Sequence, residues 1–437
     1  MTTAVRPRRL PRADYPVSRF TLDNGLRVVL APDRGSGVVG VSVHVDVGFR
    51  SEPPGRTGFA HLFEHLMFQG SESLPKLEHS RVVQSSGGNF NGSTHFDYTE
   101  YHELLPAGAL ERGLFLEADR LRAPAITSEN LANQVDVVSE EIRLNVLNRP
   151  YGGFPWILLP PVLFDTFANA HNGYGDFADL RSATVEDCAD FFERYYCPAN
   201  AVLTVCGDLD PEQTAELVRR HFEDIPYRPA PDRPDFSEPW PDGVRTADHH
   251  DPLAPTPALA IGWRLPDPVA DLPGYLAHLL MGSVLADGES APLQSELVNR
   301  RALATSAWAG PGLLGPLDGR DPDVFLLGAL HPTGIAPQQV VDATTEIIGR
   351  LADRGPTEQE LGRARARFSA NLFRECDAVI ARTRNLGLFE LLHGRAELLG
   401  ELPVLAGQID ADAVAAAARS LDPQRCAVLR VVPGGQQ

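Results

Sequence analysis

A chain of 437 residues with 43% hydrophobic and 22% charged content exceeds what one core holds, so two or more folded domains are expected. The formal net charge of −19 repels polyanions and anionic lipid headgroups, which counts against nucleic-acid and membrane-surface partners and suits peptides or basic substrates. Five cysteines without a CxxC pair offer neither a disulfide framework nor a thiolate zinc site, and fit a reducing compartment.

At the N-terminus Arg6, Arg8, Arg9 and Arg12 are interrupted by Pro7, Pro11 and Pro16, with no following apolar run for a signal core or a span, so a cytoplasmic location is expected. Lysine occurs only at Lys76 among many arginines, alanines, prolines and glycines, which suggests a bacterial genome rich in G and C. Val41, Val43, Val45 and Val47 alternate with Ser42, His44 and Asp46, the pattern of a strand with one buried face. Amphipathic runs at Leu110 to Leu121, Leu131 to Leu147 and Thr214 to Phe222 predict helices. A further helix starts near Thr184 and leads into the strand-like NAVLTVCGD at Asn200. Ile225 to Gly243 is proline-rich and reads as a linker.

Beyond the linker the pattern repeats. Leu259, Ile261, Trp263 and Leu265 alternate as a strand, Glu358 to Leu372 reads as a helix, and another helix begins near Asp410. CAVLRVVPG at Cys426 repeats NAVLTVCGD at an offset of 226, and AHLLMGS around His278 repeats AHLFEHL around His61 at an offset of 217. Two similar offsets indicate a duplicated domain. The expected fold class is α+β, with two homologous domains, each a largely antiparallel sheet with helices on one face. Their expected extents are 1–225 and 246–437, joined by a linker at 226–245.

The chemistry concentrates in GFAHLFEHLMF, where His61, Glu64 and His65 follow the order H-x-x-E-H. On a helix, positions i, i+3 and i+4 share one side, so two imidazoles and a carboxylate converge, as a catalytic zinc with an adjacent general base requires. As ordinary helix histidines they would merely face a polar groove. A third ligand is wanted from another helix, and Leu131 to Leu147 offers Glu140 and Glu141. Glu140 points away from the apolar stripe of Leu131, Val135, Val138 and Ile142, while Glu141 lies at its flank and is the better ligand. Paired His249 and His250, in ADHHDPLAP, read as surface loop histidines; His95 and His102 are not assigned as ligands, the cysteines read as buried thiols, and Trp263 and Trp308 as strand and core residues.

These residues resemble the pitrilysin and insulinase family of inverted-motif zinc peptidases, which includes the mitochondrial processing peptidase β subunit. Gly48 and Glu52 stand ahead of the motif as in the family, and Glu141 follows His65 by 76 residues, the family's spacing to its third ligand. The likeness runs from TLDNGLRVVL through SSGGNFNGSTHFDYTEY to the segment His171 to Asp210. It implies one Zn²⁺ per chain held by His61, His65 and Glu141, with Glu64 as base. It also implies an edge strand, Gly88, Asn89, Phe90, Asn91, Gly92, Ser93 and Thr94, to which an extended peptide adds.

Three departures from the family stand out. The second half keeps only His278 of the zinc motif; Gln134 replaces an assisting glutamate; and Val298 and Thr305 occupy the places of a substrate-gripping arginine and tyrosine, with Arg300 and Arg301 two or three positions late. The resemblance therefore implies a zinc endopeptidase for extended peptides or leader segments, working as the zinc-bearing chain of a heterodimer whose zinc-free homologous partner supplies the arginine and tyrosine, with a homodimer as the variant. A catalytically silent assembly subunit is the alternative.

Overall fold

The computed structural model of the chain describes residues 15–434. Arg6, Arg8, Arg9 and Arg12, on which the expectation of a cytoplasmic location partly rests, lie outside the described residues. Among the described residues no helix is long and apolar enough to cross a membrane.

The first sheet comprises β1 (Ser18–Thr21), β2 (Arg27–Pro32), β3 (Val38–Val45), β4 (Asn89–Thr94), β5 (Thr99–Pro106) and β6 (Ala201–Gly207), in the order β1-β2-β6-β3-β5-β4. The second comprises β7 (Arg245–Asp251), β8 (Ala258–Arg264), β9 (Ser306–Pro311), β10 (Val324–Leu330) and β11 (Ala427–Pro433), in the order β7-β11-β8-β10-β9. Each has one parallel pair, β2 with β6 and β7 with β11, and is otherwise antiparallel. Strand for strand, the second sheet repeats β2-β6-β3-β5-β4, the duplication that the sequence offsets announce. Residues 226–241, rich in proline, form neither helix nor strand.

Helices cover one face of each sheet. Val39, Val41, Val43 and Val45 of β3 pack with Leu62, Phe63, Leu114, Val138, Phe192 and Val218 from five helices of the first half. In the second half Ile261 and Trp263 pack with Leu276, Leu280, Ile347, Leu361 and Val414. Local chemistry fixes where these helices begin. Thr184 and Asp187 form a capping box for Val185–Tyr195, Asp210 caps Pro211–Phe222, Thr357 and Glu360 box Glu358–Cys376, and Asp410 caps Ala411–Ser420. The helix expected from Leu131 starts earlier, at Ser128, because the Thr127 side chain accepts from Asn130 N; beyond Ile142 it widens into a π turn, Arg143–Leu147.

The opposite sheet faces depart from the alternation. Ser42, His44 and Thr204 point away from the first half's own core yet are at most 1% exposed, so β3 buries both faces where one was expected. The cause is an exchange between halves. Helix Val379–His393 of the second half lies across β3 and β6. Gly40 permits this approach, since a Cβ there would sit 2.2 Å from Thr383 Oγ1, and Gly387 reciprocates beneath His44. Arg384 pairs with Glu100, Arg382 with Asp33, and Arg19 with Glu390, tying the helix to first-half strands and loops. Conversely, Leu159, Leu163 and Phe164 of the first half pack on Ala260, Val324, Leu326, Ala427 and Leu429 of the second sheet, with Leu159 over Gly262.

Two smaller readings are corrected. His249 and His250 belong to β7 rather than a loop, because parallel pairing with β11 extends through both. Trp308 is 37% exposed rather than core, since β9 is an edge strand and its indole occupies the space a Cβ on Gly328 would fill.

Candidate metal centre

The histidine helix, Phe59–Leu66, begins under firm control. Glu52 accepts hydrogen bonds from Gly58 N (2.9 Å) and Ala60 N (2.7 Å), placing a carboxylate at the positive end of the helix. His171 Nε2 lies 3.1 Å from the same carboxylate. Burial pushes Glu52 above the usual carboxylate range against the pull of His171, and His171 is lifted despite its own burial by its bond to Glu52. Gly48 is needed for space: a Cβ there would fall 2.2 Å from the His95 carbonyl oxygen.

One turn along, His61 and His65 present their rings edge to face, with centroids 4.8 Å apart. Glu141 arrives from the helix Ser128–Ile142, its Oε2 3.7 Å from His61 Nε2 and 3.4 Å from His65 Nε2. Ligand atoms of all three lie within 4.8 Å of one another. Tetrahedral zinc with bonds of about 2.0–2.1 Å sets its ligands about 3.3–3.4 Å apart, so two neutral nitrogens and one carboxylate oxygen fit that ion. Burial, then the neighbouring His65 charge, holds His61 below its ordinary pKa, in the neutral form a ligand needs. His65 is partly buried, which lowers it, but Glu141 and Glu64 outweigh this and raise it; the hydrogen bond from His65 in turn lowers Glu141. Glu140 instead faces outward and pairs with Arg143.

Glu64 sits beside this group, 8% exposed, and its Oε2 accepts from Thr94 Oγ1 at 2.6 Å. Burial raises its pKa above the usual carboxylate value, against the Thr94 hydrogen bond. Among the described residues β4 is the sheet edge, paired only with β5. A Cβ on Gly92 would lie 3.0 Å from Glu64 Oε1, so glycine brings the edge backbone against the carboxylate.

A cleft of about 640 Å³ encloses these groups, with Asn91, Gly92, Ser93 and Thr94 along one side. Gly88, Asn89 and Phe90 lie off it, the Phe90 ring packing tilted on Phe68 and edge-on to His79. Gln134 is buried beside His65 and bonds Asn133 Oδ1. Phe49, Trp156, Asn172 and Tyr174 add walls that sequence patterns did not flag, and Leu313 and Leu314 come from the second half. Val298 packs on the second-half core and Thr305 bonds the Leu330 carbonyl, so neither lines the cleft. Arg300 and Arg301 are spent on surface pairs with Glu296 and Glu346. His278 has both nitrogens occupied, Nδ1 near Gly274 O and Nε2 near Ser420 Oγ, each at 2.8 Å, as a structural histidine would. His95 is held by Ser93 and Asp318, and all five cysteines are buried and free.

A second convergence, His79, Glu103 and Glu117, is wholly buried. There Arg120 already supplies the positive charge, paired with Glu117 and stacked over Tyr101 at 4.4 Å.

Known proteins resemble the chain in sequence and in fold. Residues 27–149 match the family model described as Insulinase (Peptidase family M16), and residues 182–368 match that described as Peptidase M16 inactive domain. The zinc protease PqqE of Helicobacter pylori is 30% identical over 367 residues, covering 80% of this chain and 79% of that one. A protease crystal structure from Helicobacter pylori superposes with a TM-score of 0.88 at 26% identity, over 96% of this chain and 100% of that one. The periplasmic protease PqqL of Escherichia coli shares the fold, with a TM-score of 0.77 at 19% identity; 98% of this chain covers 48% of that longer one.

Proposed function

Because the chain belongs to the insulinase family of peptidases, family M16, we propose that it is a zinc-dependent endopeptidase acting on extended peptides, leader segments among them. One observation carries the reading: His61, His65 and Glu141 converge while Glu64 lies between them and a free strand edge. In this reading the three converging residues hold one zinc ion, which when bound supplies Lewis acidity to a water molecule and to the scissile carbonyl.

The protein's own groups do the rest. An extended substrate adds to β4 through backbone hydrogen bonds, which hold a peptide with little regard to its side chains. Glu64, steadied at Oε2 by Thr94, takes the proton of the attacking water and delivers it to the departing amine nitrogen. Its raised pKa suits a group that must both accept and donate. Phe49, Trp156 and the leucines from the second half narrow the space for bulk water.

We take the zinc-bearing half as residues 1–225, the linker as 226–245 and the second half as 246–437, supported by one sheet lying on each side, although β7 claims Arg245. The second half acts as wall and platform. A zinc-free homologous partner, or a second copy, completes the chamber: the cleft contains no arginine among its described lining residues, Leu314 on its wall is 41% exposed, and Leu144 and Leu147, in the π turn that follows Glu141, are 59% and 55% exposed. Buried free thiols support a bacterial cytoplasmic location.

The test is cleavage of a quenched, unstructured peptide library by the purified zinc-loaded chain, with Glu64→Gln as blank. Zinc-dependent cleavage, by the chain alone or after adding a partner, supports the proposal. Equal cleavage by Glu64→Gln removes Glu64 as base, and silence in both settings favours the assembly-subunit reading.

A further inference from the structure

Tyr174 lies in the irregular segment 171–175, where no helical or strand periodicity points to it, yet its side chain meets two of the three proposed ligands. The segment is locked to the start of the histidine helix. A Cβ on Gly58 would fall 2.4 Å from Tyr174 O, one on Gly175 would fall 2.2 Å from Thr57 O, and Asp176 N donates to Thr57 Oγ1. The phenol ring stands edge-on to His61 at 5.1 Å, with Trp156 also against it at 5.4 Å. Asn145, from the π turn beyond Glu141, reaches the same hydroxyl.

The two oxygens of Glu141 are thereby given different tasks. Oε1 accepts the Tyr174 hydroxyl hydrogen bond at 3.2 Å, while Oε2 is the oxygen that faces His61 and His65. A carboxylate can grip a metal through one oxygen or both, and a second metal–oxygen bond would fill the position that water and substrate need. We propose that Tyr174 is a positioning residue that holds Glu141 as a one-oxygen ligand and so keeps the fourth coordination position open. The inference rests on the zinc reading above. It assigns to Tyr174 a part in coordination number, distinct from the proton transfer given to Glu64.

Tyr174→Phe keeps the ring against His61 and Trp156 and removes only the oxygen. The full-length parent and variant, stripped of metal, would be titrated with Co²⁺ and followed by visible absorption, and their Zn²⁺ affinities read by competition with a chromophoric chelator. The parent is expected to give the intense bands of four-coordinate cobalt. The variant should give the weaker bands of five-coordination and bind zinc less tightly by roughly 10-fold, the lower end for loss of an outer hydrogen bond to a ligand. With peptide substrate its kcat should fall more than its KM changes. Equal melting temperatures of the two metal-free proteins would show that the fold is not the cause. A variant with the parent's cobalt spectrum and the parent's zinc affinity overturns the role of Tyr174 alone. A parent that takes up neither ion overturns the zinc reading with it.

Discussion

At the scale of the residue, the centre is a case where spacing and tertiary closure contribute unequal shares. Glu141 is the ligand with the greatest separation in sequence from the others, and Glu141→Ala should reduce bound zinc from one ion per chain to a small fraction, measured by elemental analysis after gel filtration, with the fold retained because the side chain is partly exposed. Full zinc occupancy in that variant would remove Glu141 from the site. His61, Glu64 and His65 were legible because a helix turns spacing into direction, and Glu141 because helix phase separates it from Glu140. Thr94 was named only as part of an edge strand and not as the partner of Glu64, and Tyr174, Leu313 and Leu314 were not named at all. Each enters through chain closure: Tyr174 meets Glu141 across a loop without periodicity, and Leu313 and Leu314 cross from the other half.

At the scale of the element, strand alternation told which residues of β3 face the helical layer and nothing about what lies on the other side, because Ser42 and His44 look the same facing water or a glycine-lined helix. Gly387→Val should expose that contact. A Cβ at this position would stand 2.6 Å from His44 Cε1, and overpacking of this kind costs about 1–3 kcal/mol, read as a lowered denaturation midpoint. An unchanged midpoint would mean that the helix sits farther from the sheet.

The buried pair between helix Glu78–Ser85 and β5 makes a second prediction. His79 Nε2 and Glu103 Oε1 are 2.8 Å apart, but burial pushes Glu103 up to about 7 and His79 down to about 3, so between these values the contact joins neutral groups rather than an ion pair. The folded chain therefore holds a proton on Glu103 that the unfolded chain releases near the ordinary 4.5, and this group's contribution to stability falls as pH rises from there through 7. His79 acts oppositely between about 3 and 6.5, so the parent's own curve mixes the two. Glu103→Gln isolates the effect, since the amide has nearly the acid's size and shape but does not titrate. Its stability relative to the parent should increase between pH 4.5 and 8, by up to about 3 kcal/mol. A difference that stays flat with pH would contradict the neutral assignment.

At the scale of the whole molecule, the duplication was readable from two offsets, while the exchange of segments between halves was not, because sequence repeats record ancestry and not which sheet a helix finally covers. If the exchange holds the halves together, residues 15–242 and 243–434 expressed separately should aggregate or remain loosely packed, and co-expression should recover a complex with the intact chain's near-ultraviolet dichroism. Two independently folded, monodisperse halves would show that helix Val379–His393 is dispensable to the first sheet.

The same exchange orders events during synthesis. The zinc-motif half is translated first, but the cover for Ser42, His44 and Thr204 lies in Val379–His393, far behind it in the chain. A nascent chain stalled after β6 carries every proposed metal ligand and an unfinished sheet, and its protease resistance should appear only once that late helix has left the ribosome. The first sheet is thus the part finished last, by the order in which its two covers emerge.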